Sequence, residues 1–181
     1  MKEATTGVVL WFTGLPSSGK STLARHLEKR FKQAGASVQV LDSDELRNWL
    51  TPDPDYSEEE RDWYYQVIRE VARMLSSNGV HVLIAATASK RSYRDAARAM
   101  FPHFAEIYVK CPLAVCQKRD PKGLWEKSEQ GMIEHLPGAG SPYEVPLDPE
   151  ITVDTSQKSV EESAEFVIRR LRELDIPLDL E

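Results

Sequence analysis

Four residues at fixed spacing carry the first chemical signal: Gly14, Gly19, Lys20 and Ser21 in the stretch FTGLPSSGKST, residues 12–22. They fit G-x-x-x-x-G-K-[ST], in which glycines let the backbone curl so that its amide hydrogens converge on phosphate oxygens. Lys20 is the residue type that neutralises the β- and γ-phosphates of a nucleotide, and Ser21 the type that helps hold Mg²⁺. Ser17, Ser18 and Thr22 complete the expected phosphate cradle. A second signal lies in LDSDELR, residues 41–47, where Asp42 and Asp44 precede Arg47. A hydroxyl acceptor for phosphoryl transfer needs a base or orienting carboxylate near the γ-phosphoryl. Asp42 is the better candidate, because Ser43 and Asp44 also read as caps of a helix over ELRNWL.

These residues need elements to position them. GVVLWFT (7–13) is an apolar, β-rich run bounded by glycine and predicts a buried strand before the loop. Leu23, Leu27 and Phe31, at four-residue spacing, predict a helix over 21–34 after it, stopped by Gly35. That strand–loop–helix order is the context a phosphate loop requires, and the helix adds its positive end. Further strands are predicted at 37–42, 80–87, 105–111 and 149–155. They alternate with helices at 57–77 (opened by a capping box of Ser57 and Glu60), 92–101, 112–119 and 160–174. The expectation is an α/β fold: a P-loop NTPase three-layer sandwich, five parallel strands with helices on both faces, and a lid. Residues 1–181 read as one domain. TPDPDYSEEE (51–60) and the Gly- and Pro-rich segment 121–148 interrupt the alternation, and loops of that length usually act as lids or binding loops.

Composition narrows the function. A net charge of −6 over 181 residues, with 29% charged and 41% hydrophobic residues, describes an ordinary globular chain. It argues against a broad nucleic-acid-binding face. Cys111 and Cys116 are too few for a disulfide scaffold or a zinc site, so buried or idle thiols are expected. MKEATTG has no apolar signal core and no run approaches membrane-spanning length, so a cytoplasmic protein with no membrane partner is expected. No N-K-x-D-like segment suggests a switch GTPase. A short chain with one phosphate loop and a late Gly/Pro-rich insertion suits a small-molecule kinase.

The combination resembles the adenylylsulfate kinase family. GLPSSGKSTLA is similar to its phosphate loop, LDSDELR to its L-D-G-D-x-x-R segment, and CPLAVCQKRDPKGLWEKSEQGMI to its P-L-x-x-C-x-x-R-D-x-K-G-L-Y stretch. GAGSPYEVPLDPEITVDT resembles the continuation G-x-x-S-P-Y-E-x-P-x-x-P-E-[LI]. The resemblance implies an ATP-dependent kinase of sulfate assimilation that phosphorylates the 3′-hydroxyl of adenosine 5′-phosphosulfate. By the same resemblance Asp42 is the catalytic base and Asp44 a nearby organising carboxylate. Arg47 and Arg61 grip the acceptor, Tyr56 stacks on its adenine, and Lys122 is the lid lysine. Arg119 lies against the donor adenine. Arg61 also reads as a solvated charge at a helix start, and Tyr56 as a surface aromatic. Family members often pair, which leaves a homodimer open; the closing helix has an apolar face that core packing explains equally well.

The departures cluster on the acceptor side. Where the family shows E-N-I-R-R, this chain has Asp62-Trp63-Tyr64-Tyr65-Gln66-Val67, so Tyr64 and Gln66 replace an asparagine and an arginine. Tyr64 is accordingly expected to contact the acceptor, although Trp63 and Tyr64 also read as helix core. S-x-I-S-P-Y-R becomes Ala85 to Arg91, and F-T-G becomes Leu136-Pro137-Gly138. A related kinase with a different nucleotide-linked or phosphorylated acceptor, and a nucleotide-binding regulator without turnover, stand as the alternatives.

Overall fold

The computed structural model describes residues 6–178. Residues 1–5, most of the opening stretch that lacks an apolar signal core, lie outside the described residues. Five strands form one parallel sheet: β1 (Val9–Thr13), β2 (Val38–Asp42), β3 (His81–Ala85), β4 (Phe104–Lys110) and β5 (Ile151–Asp154). Their order is β2-β3-β1-β4-β5, with every pairing parallel. β1 is central and wholly buried. Its alternate residues feed two separate cores, as the two-residue period of a strand requires. Val8, Leu10 and Phe12 pack with Leu27 and Phe31 of α1 (Lys20–Gln33) and Val167 and Leu171 of α7 (Val160–Glu173). Val9 and Trp11 face α3 (Glu58–Ser76) and α4 (Arg91–Met100), meeting Tyr65, Ile68 and Ala97. Helices therefore cover both faces of the sheet, as expected. The apolar side of α7 is taken up in this core.

Three local expectations change. The 121–148 segment is not loop throughout: after α5 (Leu113–Arg119) it forms the short helix α6 (Leu124–Glu129), started by Gly123. Trp125 and Leu136 join Cys111 and Cys116 in a small third core, so both thiols are buried and unpaired. The helix over residues 43–50, α2 (Ser43–Leu50), is capped by Asp42 rather than by Ser43 or Asp44. At α3 only half of the predicted capping box forms. Ser57 Oγ accepts from the Glu60 amide at 3.1 Å, but the Glu60 carboxylate turns instead to the Asp55 and Tyr56 amides and to Arg47. The complete box belongs to Ser159 and Glu162 at α7.

Candidate active site

The carboxyl edge of the sheet opens into a cleft of about 800 Å³. Ligands of open α/β folds bind at that edge. One wall is the phosphate loop, where Ser17, Gly19, Lys20, Ser21 and Thr22 reach the cleft. Gly14 lies behind it for a steric reason: a Cβ there would stand 2.4 Å from the Val109 carbonyl oxygen of β4. Ser17 adopts φ 66, a backbone strain that turns the loop back on itself. Lys20 Nζ donates to the carbonyls of Gly14 at 3.0 Å and Leu15 at 2.8 Å, so the ammonium folds over the loop's mouth. Burial pulls the Lys20 pKa down to about 8, with the Asp44 carboxylate opposing the shift. Ser18 is fully buried, and its hydroxyl oxygen has no hydrogen-bond partner among the described residues.

The opposite wall comes from α2 and α3. Asp42 is 5% exposed at the end of β2. Its Oδ1 accepts the amides of Asp44 at 2.9 Å and Glu45 at 3.5 Å, the standard use of an aspartate at a helix start. Ser43, Asp44 and Arg47 line the cleft beyond it. The Arg47 guanidinium lies between two rings, 4.0 Å from the centroid of Tyr64 and 4.8 Å from that of Tyr56, and pairs with Glu60 at 2.5 Å. Tyr56 is half-exposed with φ 55, held there by the bond from its amide to Glu60 Oε2 at 3.2 Å. Arg61 also lines the cleft and donates to the His135 carbonyl at 3.1 Å.

The 121–148 segment closes over these walls. Lys122 is paired with Asp44 Oδ2. Trp125 Nε1 donates to the Pro16 carbonyl at 3.3 Å, and a Cβ on Gly138 would stand 2.7 Å from Leu15 Cδ2, so this segment packs directly on the phosphate loop. At the far end, Arg119 lines the cleft and is held by Thr155, whose carbonyl accepts at 2.6 Å. Thr155 Oγ1 in turn donates to the Ser18 carbonyl at 2.7 Å, tying that end to the phosphate loop.

Tyr64 is the main correction. It is fully buried and does not line the cleft, because its ring supports Arg47 from below and its hydroxyl donates to the Ser43 carbonyl. Tyr65 reaches the cleft instead and accepts the Ala88 amide at 3.1 Å. Trp63, expected in the helix core, is 47% exposed. Thr155 and His135 were not singled out from the sequence, and Glu60 was read only as half of a capping box. The signal that could have found Thr155 is its place one residue past β5, at the carboxyl edge of the sheet.

The adenylylsulphate kinase family model matches residues 6–154. A probable adenylyl-sulfate kinase of Bacillus subtilis is 42% identical over 166 residues, covering 91% of this chain and 83% of that one. The adenylyl-sulfate kinase of Rippkaea orientalis is 41% identical over 168 residues, 93% of each chain. Among solved structures, the APS kinase of Mycobacterium tuberculosis in complex with AMPPNP and APS superposes with a TM-score of 0.87 at 36% identity, covering 92% of this chain and 98% of that one.

Proposed function

The chain belongs to the adenylylsulphate kinase family, and from that membership we propose that it transfers the γ-phosphoryl of ATP to the 3′-hydroxyl of adenosine 5′-phosphosulfate. The product is 3′-phosphoadenosine 5′-phosphosulfate. The observation that carries this reading is the single cleft in which a phosphate loop faces Asp44, Arg47 and Lys122. A triphosphate fits the first wall, and a second anion fits the cations of the other.

In this reading the loop amides and Lys20 cradle the β- and γ-phosphates, and Arg119 lies against the donor base. Lys20 gives up its two carbonyl partners to phosphate oxygens, a stronger charge-assisted pairing. Arg47 and Arg61 hold the acceptor's phosphosulfate and ribose, and Tyr56 stacks on its adenine, a contact worth about 1–3 kcal/mol. The hydrogen bonds to Asp42 fall on Oδ1, and in this reading Oδ2 serves the acceptor. The 3′-oxygen then attacks the γ-phosphorus in line as the bond to the β–γ bridging oxygen breaks, and the proton passes to Asp42 Oδ2. Residues 121–148 exclude water from that transfer; we treat the chain as one catalytic unit with this lid.

Among the described residues, no group of three or more His, Cys, Asp or Glu forms a metal cage. Mg²⁺ does not need one, since it keeps several waters and takes phosphate oxygens with one or two protein ligands. The Ser21 hydroxyl, in the first turn of α1 and on the cleft wall, fits that sparse donor set. When bound, the ion neutralises charge building on the phosphates. Among the described residues no helix is long and apolar enough to cross a membrane; a cytoplasmic setting, where ATP is at hand, completes the proposal. A homodimer would have to use a surface other than the apolar side of α7.

The deciding assay is steady-state turnover with MgATP and adenosine 5′-phosphosulfate. Formation of the 3′-phosphorylated product supports the reading, and ATP turnover with other nucleotide conjugates only would replace it. One observation favours that second outcome: Leu136-Pro137 lines the cleft, and Tyr64 stands behind its wall, where the family has an aromatic and an asparagine respectively.

A further inference from the structure

Tyr64 does not line the cleft, yet it touches two parts of the acceptor wall at once. Its ring lies 4.0 Å from the Arg47 guanidinium, and its hydroxyl donates to the carbonyl of Ser43, the residue directly after Asp42. The ring is fully buried, and a cation over a desolvated ring is held more firmly than one over an exposed ring. Tyr64 is itself locked: Tyr65 meets it edge-on at 5.6 Å, Tyr93 packs on Tyr65 at 4.4 Å, and the Tyr93 hydroxyl donates to Asp62 at 2.7 Å. On the cleft side Tyr56 and Glu60 hold Arg47 from two further directions, and it still lines the cleft. An arginine so held loses little further freedom when an anion arrives, which is how preorganisation improves binding.

We propose that Tyr64 is the positioning residue of the acceptor half. Its ring fixes Arg47, and its hydroxyl fixes the start of α2 that carries Asp42. The inference rests on the kinase reading above. Where the family places an asparagine, this chain places a buried pillar that acts through Arg47 and the α2 start.

Two-substrate kinetics on the wild type, Tyr64→Phe and Tyr64→Leu test it, together with crystal structures of the wild type and Tyr64→Leu. Tyr64→Leu removes the ring under Arg47 and is expected to raise KM for adenosine 5′-phosphosulfate about tenfold, the size of one buried cation–π contact. KM for MgATP should stay within twofold. Tyr64→Phe keeps the ring, so it should restore the acceptor KM while lowering kcat about threefold through loss of the Ser43 tether. A purely structural role would lower the melting temperature and disturb both KM values alike, and that pattern overturns the proposal. So does an unchanged acceptor KM in Tyr64→Leu. If the wild type turns over no adenosine 5′-phosphosulfate, the kinase reading fails by itself and the crystal structures decide about Tyr64. A guanidinium displaced in Tyr64→Leu supports the pillar, and one that keeps its place overturns it.

Discussion

Lys122 Nζ lies 2.5 Å from Asp44 Oδ2, so the lid and the first turn of α2 meet in an ion pair within the cleft wall. Both side chains are about half exposed. A pair so placed contributes only about 0–1 kcal/mol to stability, and the proposed function gives it another task, to hold Lys122 beside the acceptor anion. Lys122→Ala is therefore expected to leave the melting temperature within about 2 °C. It should lower kcat/KM for adenosine 5′-phosphosulfate about tenfold or more, the range of a charge-assisted hydrogen bond. Thermal melts beside acceptor-dependent kinetics check both halves.

Asp42 serves as helix cap and proposed base through different oxygens, which lets the two roles be separated. Asparagine retains an oxygen that can accept the Asp44 and Glu45 amides, but it cannot take a proton from the acceptor. Asp42→Asn should lower kcat by about 10²–10⁴-fold while ATP affinity and melting temperature stay close to wild type. Asp42→Ala should lose the same activity and about 1 kcal/mol of stability as well. An Asn variant with wild-type kcat would remove Asp42 from the chemistry.

The pH dependence of nucleotide binding follows from Lys20. Burial lowers its pKa from 10.5 to about 8 in the ligand-free protein. Bound phosphate favours the ammonium and raises that value again. Binding should therefore take up a proton increasingly as pH rises through 8, and affinity should weaken across pH 8 to 10.5. Stability of the free protein runs the other way. The unfolded chain holds more protons in that window, so stability rises with pH there and its gain is lost as pH falls through 8. Titration calorimetry with an ATP analogue in buffers of different ionisation enthalpy measures the uptake. Lys20→Met should abolish it.

A buried ion network joins α4 to β4 and to the end of the 121–148 segment. Arg94 is 1% exposed and donates to Glu106 at 2.6 Å, to the Ala88 and Lys90 carbonyls, and to the Glu144 carbonyl at 2.6 Å. Arg98 gives Glu106 a second partner at 3.1 Å. Arg94→Met leaves a buried carboxylate short of its main partner, a change that costs about 3–5 kcal/mol. Denaturant unfolding should show the loss directly. A loss under about 1 kcal/mol would mean that Arg98 compensates.

The order of strands and helices was legible because alternating apolar runs and glycine stops mark it. The phosphate loop was legible because its chemistry is local, confined to residues 14–22. Acceptor-side detail was not, because it depends on which way side chains point from α3. Trp63 and Tyr64 are adjacent and similar in composition, yet one is half-exposed and the other fully buried. Helical periodicity assigns them to different faces, and only the position of Arg47 says what the buried one supports. Glu60 was readable as half of a capping box. Its carboxylate instead meets Arg47, a partner 13 residues away that no local pattern announces. α6 escaped notice because it is six residues long and opens at a glycine in left-handed conformation within a Gly- and Pro-rich stretch.

Glu144 is pinned on three sides: its amide donates to Ser89, its carbonyl accepts from Arg94, and its carboxylate accepts the Arg91 amide. Arg119 is pinned to Thr155 in the same manner. The stretch between them is thus held at both ends, tied along its length by Lys122 to Asp44 and by Trp125 to Pro16, and packed in a small core that it shares with Cys111, Cys116 and Leu15. Because that core takes in Leu15 of the phosphate loop, exchanging the stretch for that of another family member must carry its contacts to Leu15 and Pro16 along if the fold is to survive.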